Sequence, residues 1–249
     1  MATRSLTDPG PANYEVFFGS SLYVKVLWTT VRTSVIVTVA CLLLGYPYAY
    51  VMHYAGRKAQ ALLAALVLIP FWSSLLVRTY AWTVLLQDSG VINSLLMRWG
   101  LIDEPLALMR NTLGVTIGMS HILLPFMVLP IFATMRRIDP DVVPAAEGLG
   151  APPSMAFRRV FLPLSLPGVF AGCLLVFVLA LGFYITPALL GSPQNAMFSE
   201  LVVNMVTERL NFGVGSALAM TLLIVTLLLL WIGSRFVRIS QALGYEEER

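Results

Sequence analysis

The side chains that could perform covalent chemistry are few and scattered along the sequence. Ser120 and His121 are adjacent, but neighbouring residues of a helix point in different directions, and no apolar segment supplies an acidic residue to orient the histidine. Cys41 and Cys173 lie in apolar runs without partners at metal-ligand spacing. We therefore predict that His121 packs between helices through a hydrogen bond and that both cysteines are small core residues.

Motifs for binding a nucleotide or for acid–base catalysis are missing from the sequence. The phosphate-binding motif G-x-x-x-x-G-K-S/T requires a Gly-Lys pair, and neither of the two lysines, Lys25 and Lys58, follows a glycine. Asp139-Pro140-Asp141 is too small a cluster for an intramembrane enzyme. The chain is therefore predicted to be a non-enzyme that binds no metal and no cofactor of its own.

The composition points to lipid as the natural solvent. Of the 249 residues, 58% are hydrophobic and 12% are charged, whereas about a quarter of a soluble domain is charged. The net charge of +3 comes from short clusters between long uncharged runs, which is typical of the Lys/Arg excess on the cytoplasmic side of membrane proteins. The same clustering argues against nucleic acid as a partner.

Five apolar segments are long enough to cross a bilayer as helices, near residues 30–53, 60–84, 112–134, 164–189 and 211–234. We therefore predict an all-α integral membrane protein, a bundle of five transmembrane helices in one domain that covers residues 1–249. The aromatic segment 14–30 is predicted to lie at the outer interface. Four prolines within or at the ends of the spans predict kinks, with or without a role in gating: Pro70, Pro125, Pro130 and Pro187.

The charges in the connecting loops predict the orientation. Basic residues follow the first, third and fifth segments, whereas the other two loops are balanced or slightly acidic. The basic loops and the C-terminus should therefore be cytoplasmic and the N-terminus outside. The basic residues concerned are Arg57, Lys58, Arg136, Arg137, Arg158, Arg159, Arg235 and Arg238.

The cytoplasmic loop 136–163 contains signals for a compact helix–turn–helix. Asp139 or Asp141 can cap a helix whose first turn holds Pro144, and Gly150 allows the left-handed turn that ends it. A second short helix is predicted from residue 154 to residue 162, before Pro163. Small residues on the exposed face would let the surface of a partner approach closely.

This loop resembles the EAA motif of binding-protein-dependent ABC importer permeases, through Ala145-Ala146, Leu149-Gly150-Ala151 and Val160-Phe161-Leu162-Pro163-Leu164. Four other segments resemble the spermidine/putrescine-type branch of that family. They are GYPYAY (45–50), IPFWSSLLVRTYAW (69–82), ILLPFMVLP (122–130) and LPGVFAGCLLVFVLALGFYITPALLG (166–191).

The sequence departs from the family pattern in two places. Pro144 stands where the family has its leading glutamate, and the nearest acid is Glu147. Family members carry six spans, so the five predicted here correspond to the six-helix fold without its first helix.

The resemblance implies a bacterial inner-membrane permease that pairs with a second permease subunit, two cytoplasmic ATPase subunits that hold ATP and Mg, and a periplasmic solute-binding protein. It implies a polyamine as cargo, and another small organic solute remains open. An ion-coupled secondary transporter is the weaker alternative, because no predicted span contains Asp or Glu. The loop residues that would contact the ATPase are Pro144, Ala145, Ala146, Glu147, Gly148, Leu149, Gly150 and Ala151.

Five residues are candidates for lining the translocation path: Arg78, Trp72, Tyr80, Phe183 and Tyr184. Apart from Arg32 at the edge of the first predicted span, Arg78 is the only charged side chain within a predicted span, and such a group either faces a path or gate or extends to the interface. The aromatic rings could contact a cationic solute through cation–π attraction or belong to the interfacial belt.

Overall fold

The structure is a computed structural model that describes the backbone of residues 21–244 and the side chains in that range except those of 234 and 236–244. The described residues form helices and no strand. The α-helices are α1 (Ser21–Tyr54), α2 (Arg57–Leu68), α3 (Leu75–Leu86), α4 (Val91–Arg98), α5 (Thr112–Met135), α6 (Val142–Gly148), α7 (Pro153–Ala156), α8 (Leu162–Leu181), α9 (Ile185–Leu190), α10 (Phe198–Thr207) and α11 (Phe212–Gly244).

Length and composition would allow four of the described helical stretches to cross a membrane: Ser21–Tyr54, Thr112–Met135, Pro153–Leu181 and Phe212–Gly233. A fifth candidate is a bent pair, Arg57–Trp72 with Leu75–Arg98, whose two parts meet at 100°. The all-α membrane fold is therefore confirmed, with five spans when the bent pair counts as one.

Helices α1, α5 and α8 form the centre of the bundle. Met127 of α5 lies between two glycines, since a Cβ placed on Gly45 of α1 would be 2.9 Å from its Cγ, and one on Gly172 of α8 would be 2.9 Å from its Sδ. Val37 and Cys41 of α1 are fully buried in the same core. Small residues at these crossings let the helix backbones approach closely, which is how helices associate in lipid.

The predicted span over residues 60–84 is not one continuous helix, because the chain breaks within it near Pro70, one of the prolines predicted to kink a span. Helix α2 ends at Leu68, a 3₁₀ turn covers Ile69–Trp72, and α3 begins at Leu75. Pro70 has no N–H to continue a helix. Ser73 and Ser74 have extended backbones, and the Ser73 hydroxyl donates to the Pro70 carbonyl.

The predicted end of the fourth span at residue 189 is also wrong. Helix α8 stops at Leu181, where the N–H groups of Gly182 and Phe183 donate to Leu179 and Ala180 in a tightened last turn. The separate helix α9 follows, and Pro187 lies within it. This stop places Phe183 and Tyr184 in a turn rather than in a span.

The ends of two other segments also differ from the prediction. Residues 21–30, predicted to lie at the outer interface, continue α1, whereas residues 14–20 fall outside the described part. Helix α11 begins at Phe212 and runs to Gly244, ten residues beyond the predicted end at 234.

Candidate functional site

The loop between α5 and α8 contains the exposed helix α6. Asp141 occupies its N-cap position without a side-chain capping bond, and the Asp139 carboxylate instead accepts from the Asp141 N–H at 2.9 Å. The first helix of the predicted helix–turn–helix therefore forms, but neither aspartate caps it in the way that the sequence suggests.

The turn after α6 has the predicted left-handed conformation at Gly150, with φ of 93°. The Gly150 N–H donates to the Glu147 carbonyl at 2.9 Å and the Ala151 N–H donates to the Ala146 carbonyl at 3.1 Å. This pair of bonds is the Schellman arrangement that terminates helices. It presents Leu149 at its tip, and this residue is 92% exposed.

The prediction of a separate second helix in the loop, ending before Pro163, is wrong. From Pro153 the helix continues without interruption to Leu181, through a π-helical turn over Phe157–Phe161. The Leu162 N–H donates to the Phe157 carbonyl five residues earlier. Because the ring of a helical proline crowds the carbonyl four residues before it, the wider turn ahead of Pro163 lets the helix continue.

His121 packs between helices as predicted. The Trp82 Nε1–H donates to His121 Nδ1 at 3.2 Å, and the two rings meet edge to face. The hydroxyl of Ser120 is buried without a hydrogen-bond partner among the described residues. The Ser120 hydroxyl therefore does not donate to the His121 ring, which is the bond that a Ser–His nucleophile requires.

The five candidate path residues fall into two groups, three beside the break between α2 and α3 and two at the end of α8. Arg78 of α3 is half-buried, and its Nε is buried without a hydrogen-bond partner in the described part of the chain. Trp72 and Tyr80 are exposed by 81% and 67%. Phe183 and Tyr184 are half-buried at the end of α8, where the Ser199 hydroxyl donates to the Phe183 carbonyl.

Sequence reasoning misses two sets of side-chain contacts, one beside these groups and one at the other end of the molecule. The hydroxyls of Thr79 and Thr186 meet at 3.1 Å in a buried pair that joins α3 to α9. At the other end of the molecule, rings of α1 gather against Phe157 and Phe161 of the π-helical turn. The four-residue spacing of Tyr46, Tyr50 and Tyr54, and of the two phenylalanines, is a signal that could have predicted this cluster.

The long apolar helices define the class of protein, a multi-pass helical membrane protein. No group of three or more potential metal ligands occurs in residues 21–244 where side chains are described. The chain belongs to the family of binding-protein-dependent transport system inner membrane components, whose family model matches residues 36–241. It is thus a multi-pass inner-membrane protein.

Curated relatives agree with this assignment. The chain is 36% identical over 220 residues to the spermidine/putrescine transport system permease protein PotB of Haemophilus influenzae, covering 88% of this chain and 77% of PotB. It is 38% identical over 197 residues to the inner membrane ABC transporter permease protein YdcU of Escherichia coli, covering 73% and 62%. It is 30% identical to the molybdenum transport system permease protein ModB of Mycobacterium bovis, covering 84% and 78%.

Solved structures share the fold. A bacterial ABC transporter involved in the import of the acidic polysaccharide alginate matches 92% of this chain and 83% of its own, with a TM-score of 0.70 and 17% identity. The MetNI methionine ABC transporter, in an inward-facing conformation, matches 87% and 95%, with a TM-score of 0.67 and 16% identity.

Proposed function

We propose that this chain is a permease subunit of an ABC importer that carries polyamines of the spermidine/putrescine type. The observation that supports this proposal best is the 36% identity to PotB over 88% of the chain, which includes the exposed loop around α6. The permease is one transmembrane domain, and α6 and the C-terminus lie in the cytoplasm.

The chain would act within a larger assembly. A second permease subunit pairs with it, two ATPase subunits bind ATP and Mg on the cytoplasmic side, and a periplasmic protein delivers the solute. This chain supplies no catalytic residue and no cofactor. A solved alginate ABC transporter of the same fold, in complex with a periplasmic protein that binds an alginate pentasaccharide, supports the periplasmic part of this assembly.

Helix α6 and its turn would contact the ATPase, through Pro144–Ala151. Most of these side chains are exposed and small, and Leu149 is a large apolar side chain open to solvent. An exposed apolar tip beside small residues suits a surface that another protein covers. Closure of the ATPases would then pull α6. The continuous helix that starts at Pro153 would pass this movement to the membrane helices.

The path through the membrane would run beside the break between α2 and α3. Backbone groups that leave a helix inside lipid must face a cavity or protein. Arg78 and Tyr80 of α3, Trp72 before the break, and Phe183 and Tyr184 at the end of α8 are the proposed lining.

Arg78 favours a second candidate cargo, an anionic solute. Its guanidinium would repel a polyammonium ion and attract a carboxylate or oxyanion, and its Nε has no described partner. Competition for uptake of labelled spermidine in cells decides between the two. Excess putrescine should abolish this uptake. Competition for the same uptake by molybdate or a carboxylate would support the anionic cargo.

The coupling role can be tested at Gly148, where an added Cβ meets nothing in this chain. Gly148→Leu should therefore leave the permease folded and inserted but reduce uptake at least about tenfold, because the new side chain occupies the space of the docked ATPase. Gly56→Leu is the matched control, since Gly56 is also exposed and its added Cβ also meets nothing.

Copurification gives the second readout of this experiment. The tagged chain in mild detergent should retain an ATPase and a second permease, Gly148→Leu should lose the ATPase, and Gly56→Leu should keep it. Normal uptake and normal ATPase retention in Gly148→Leu would contradict the coupling assignment.

A further inference from the structure

A cavity of about 360 Å³ lies between α6 and the cytoplasmic end of α1. Aromatic rings form one side of it, Tyr50 and Tyr54 from α1 and Phe157 and Phe161 from the π-helical turn. Glu147 of α6 lies on the other side, and it is the only charged residue among the nine described residues that line the cavity. Ligand pockets in proteins begin at about this size.

The rings are arranged around a corner. The Tyr50 ring is perpendicular to both phenylalanines, with centroids 5.5 Å from Phe157 and 5.4 Å from Phe161. Phe157 and Phe161 are nearly parallel at 5.9 Å, and Tyr54 lies 6.0 Å from Phe161. A cation in the corner would be within about 6 Å of several rings at once, which is the range of cation–π attraction.

Burial alone does not account for this group of side chains. Phe161 is fully buried and forms the floor, but Tyr54 remains 57% exposed and Glu147 is exposed at the rim. The faces of aromatic rings carry negative potential, and the carboxylate has the same sign. None of the nine described lining residues is basic, so the lining offers an anion no opposite charge. An organic ammonium ion, in contrast, finds both aromatic rings and a carboxylate there.

We propose that this cavity binds an alkylammonium ion from the cytoplasm, with the rings of Tyr50, Tyr54 and Phe157 around the ammonium group and Glu147 as its counter-charge. Its identification with the imported polyamine rests on the proposed function. Because the walls come from α6 on one side and from α1 and the π-helical turn on the other, the bound ion joins the coupling helix to the bundle. A ligand that binds one arrangement of two elements better than another shifts the equilibrium toward it. Import requires α6 to move relative to α1, so an ion that holds the two helices together slows further import when cargo accumulates.

Direct binding to the detergent-purified assembly, without the periplasmic protein, tests the site. The probes are labelled putrescine and labelled tetramethylammonium in equilibrium dialysis, with neutral 1,4-butanediol as a competitor that should have no effect. Tyr54→Leu should weaken binding of both cations about tenfold, whereas Tyr54→Phe, which keeps the ring, should stay within about twofold. Glu147→Gln should weaken it about fivefold.

Membrane vesicles give the functional readout. Putrescine loaded inside should slow uptake by the wild type relative to unloaded vesicles of the same protein, and this ratio should return to one in Tyr54→Leu but not in Tyr54→Phe. Binding that is absent, or that is unchanged by both Tyr54→Leu and Glu147→Gln, would overturn the proposal. Tetramethylammonium binding that depends on Tyr54 in a protein that imports no polyamine would retain the site and refute only the proposed cargo.

Discussion

The central helices and the peripheral segments of this molecule respond differently to the same helix-breaking residue. Helix α5 contains Pro125 and Pro130 and remains one helix, whereas the α2–α3 segment contains Pro70 and separates into two helices at 100°. Proline removes one backbone bond and kinks a helix wherever it occurs inside one. The number of prolines therefore does not decide which segment breaks.

The difference lies in the surroundings. Helix α5 is packed between α1 and α8, and Pro125 is buried. A Cβ on Gly168 of α8 would lie 2.8 Å from the Pro130 carbonyl, so α8 runs directly against the chain at the second proline. Around Pro70, by contrast, Phe71, Trp72 and both serines are exposed. Packing on two sides holds a proline-containing helix together, and its absence lets the chain turn.

The largest expected effect comes from separating the central helices. Gly172→Leu should lower the free energy of unfolding by about 3 kcal/mol, because its Cβ would lie 3.0 Å from the Met127 carbonyl, which cannot move without displacing α5. Detergent-induced unfolding followed by circular dichroism measures the change.

Gly182→Leu is the matched control for this substitution. Gly182 ends the same helix, is exposed, and would bring its Cβ no closer than 3.8 Å to the nearest atom. Its effect should stay within about 0.5 kcal/mol. Equal effects of the two substitutions would show that close packing is not what sustains the centre.

A smaller effect is expected where a peripheral segment joins the centre. Trp82→Phe keeps an aromatic ring on α3 but removes the donor to His121 of α5, and should lower the free energy of unfolding by about 1 kcal/mol. Trp72→Phe, at an exposed position before the break, should have almost no effect. If Trp72→Phe proved the more harmful, α3 would be held by contacts other than the indole–imidazole bond.

The two regions also differ in how far the sequence predicts them. Hydropathy predicts α5 within one residue at its C-terminal end, since a long uncharged run in lipid has no alternative to a helix. The turn at Gly150 is predictable as well, because few residues adopt a positive φ. The break after Pro70 and the stop at Leu181 are not predictable in this way, because both depend on which neighbours cover the chain. The cavity beside Glu147 combines the two cases: the ring spacing is visible in the sequence, but the approach of α6 is not.

The smallest expected effect concerns Glu200, in the first turn of the peripheral helix α10. Burial raises the pKa of its carboxyl above the ordinary 4.5, a bond from the Met197 backbone lowers it, and the charge of Glu208 raises it further. The folded state thus favours the neutral carboxyl. Below pH 4.5 this stabilisation is complete, and it is lost as the pH rises through the raised pKa, so the free energy of unfolding should fall over that interval. Glu200→Gln should flatten the decrease, and Glu104→Gln, at an exposed loop position, should leave it as in the wild type. An unchanged pH profile in Glu200→Gln would mean that α10 is covered no more tightly than the loops around it.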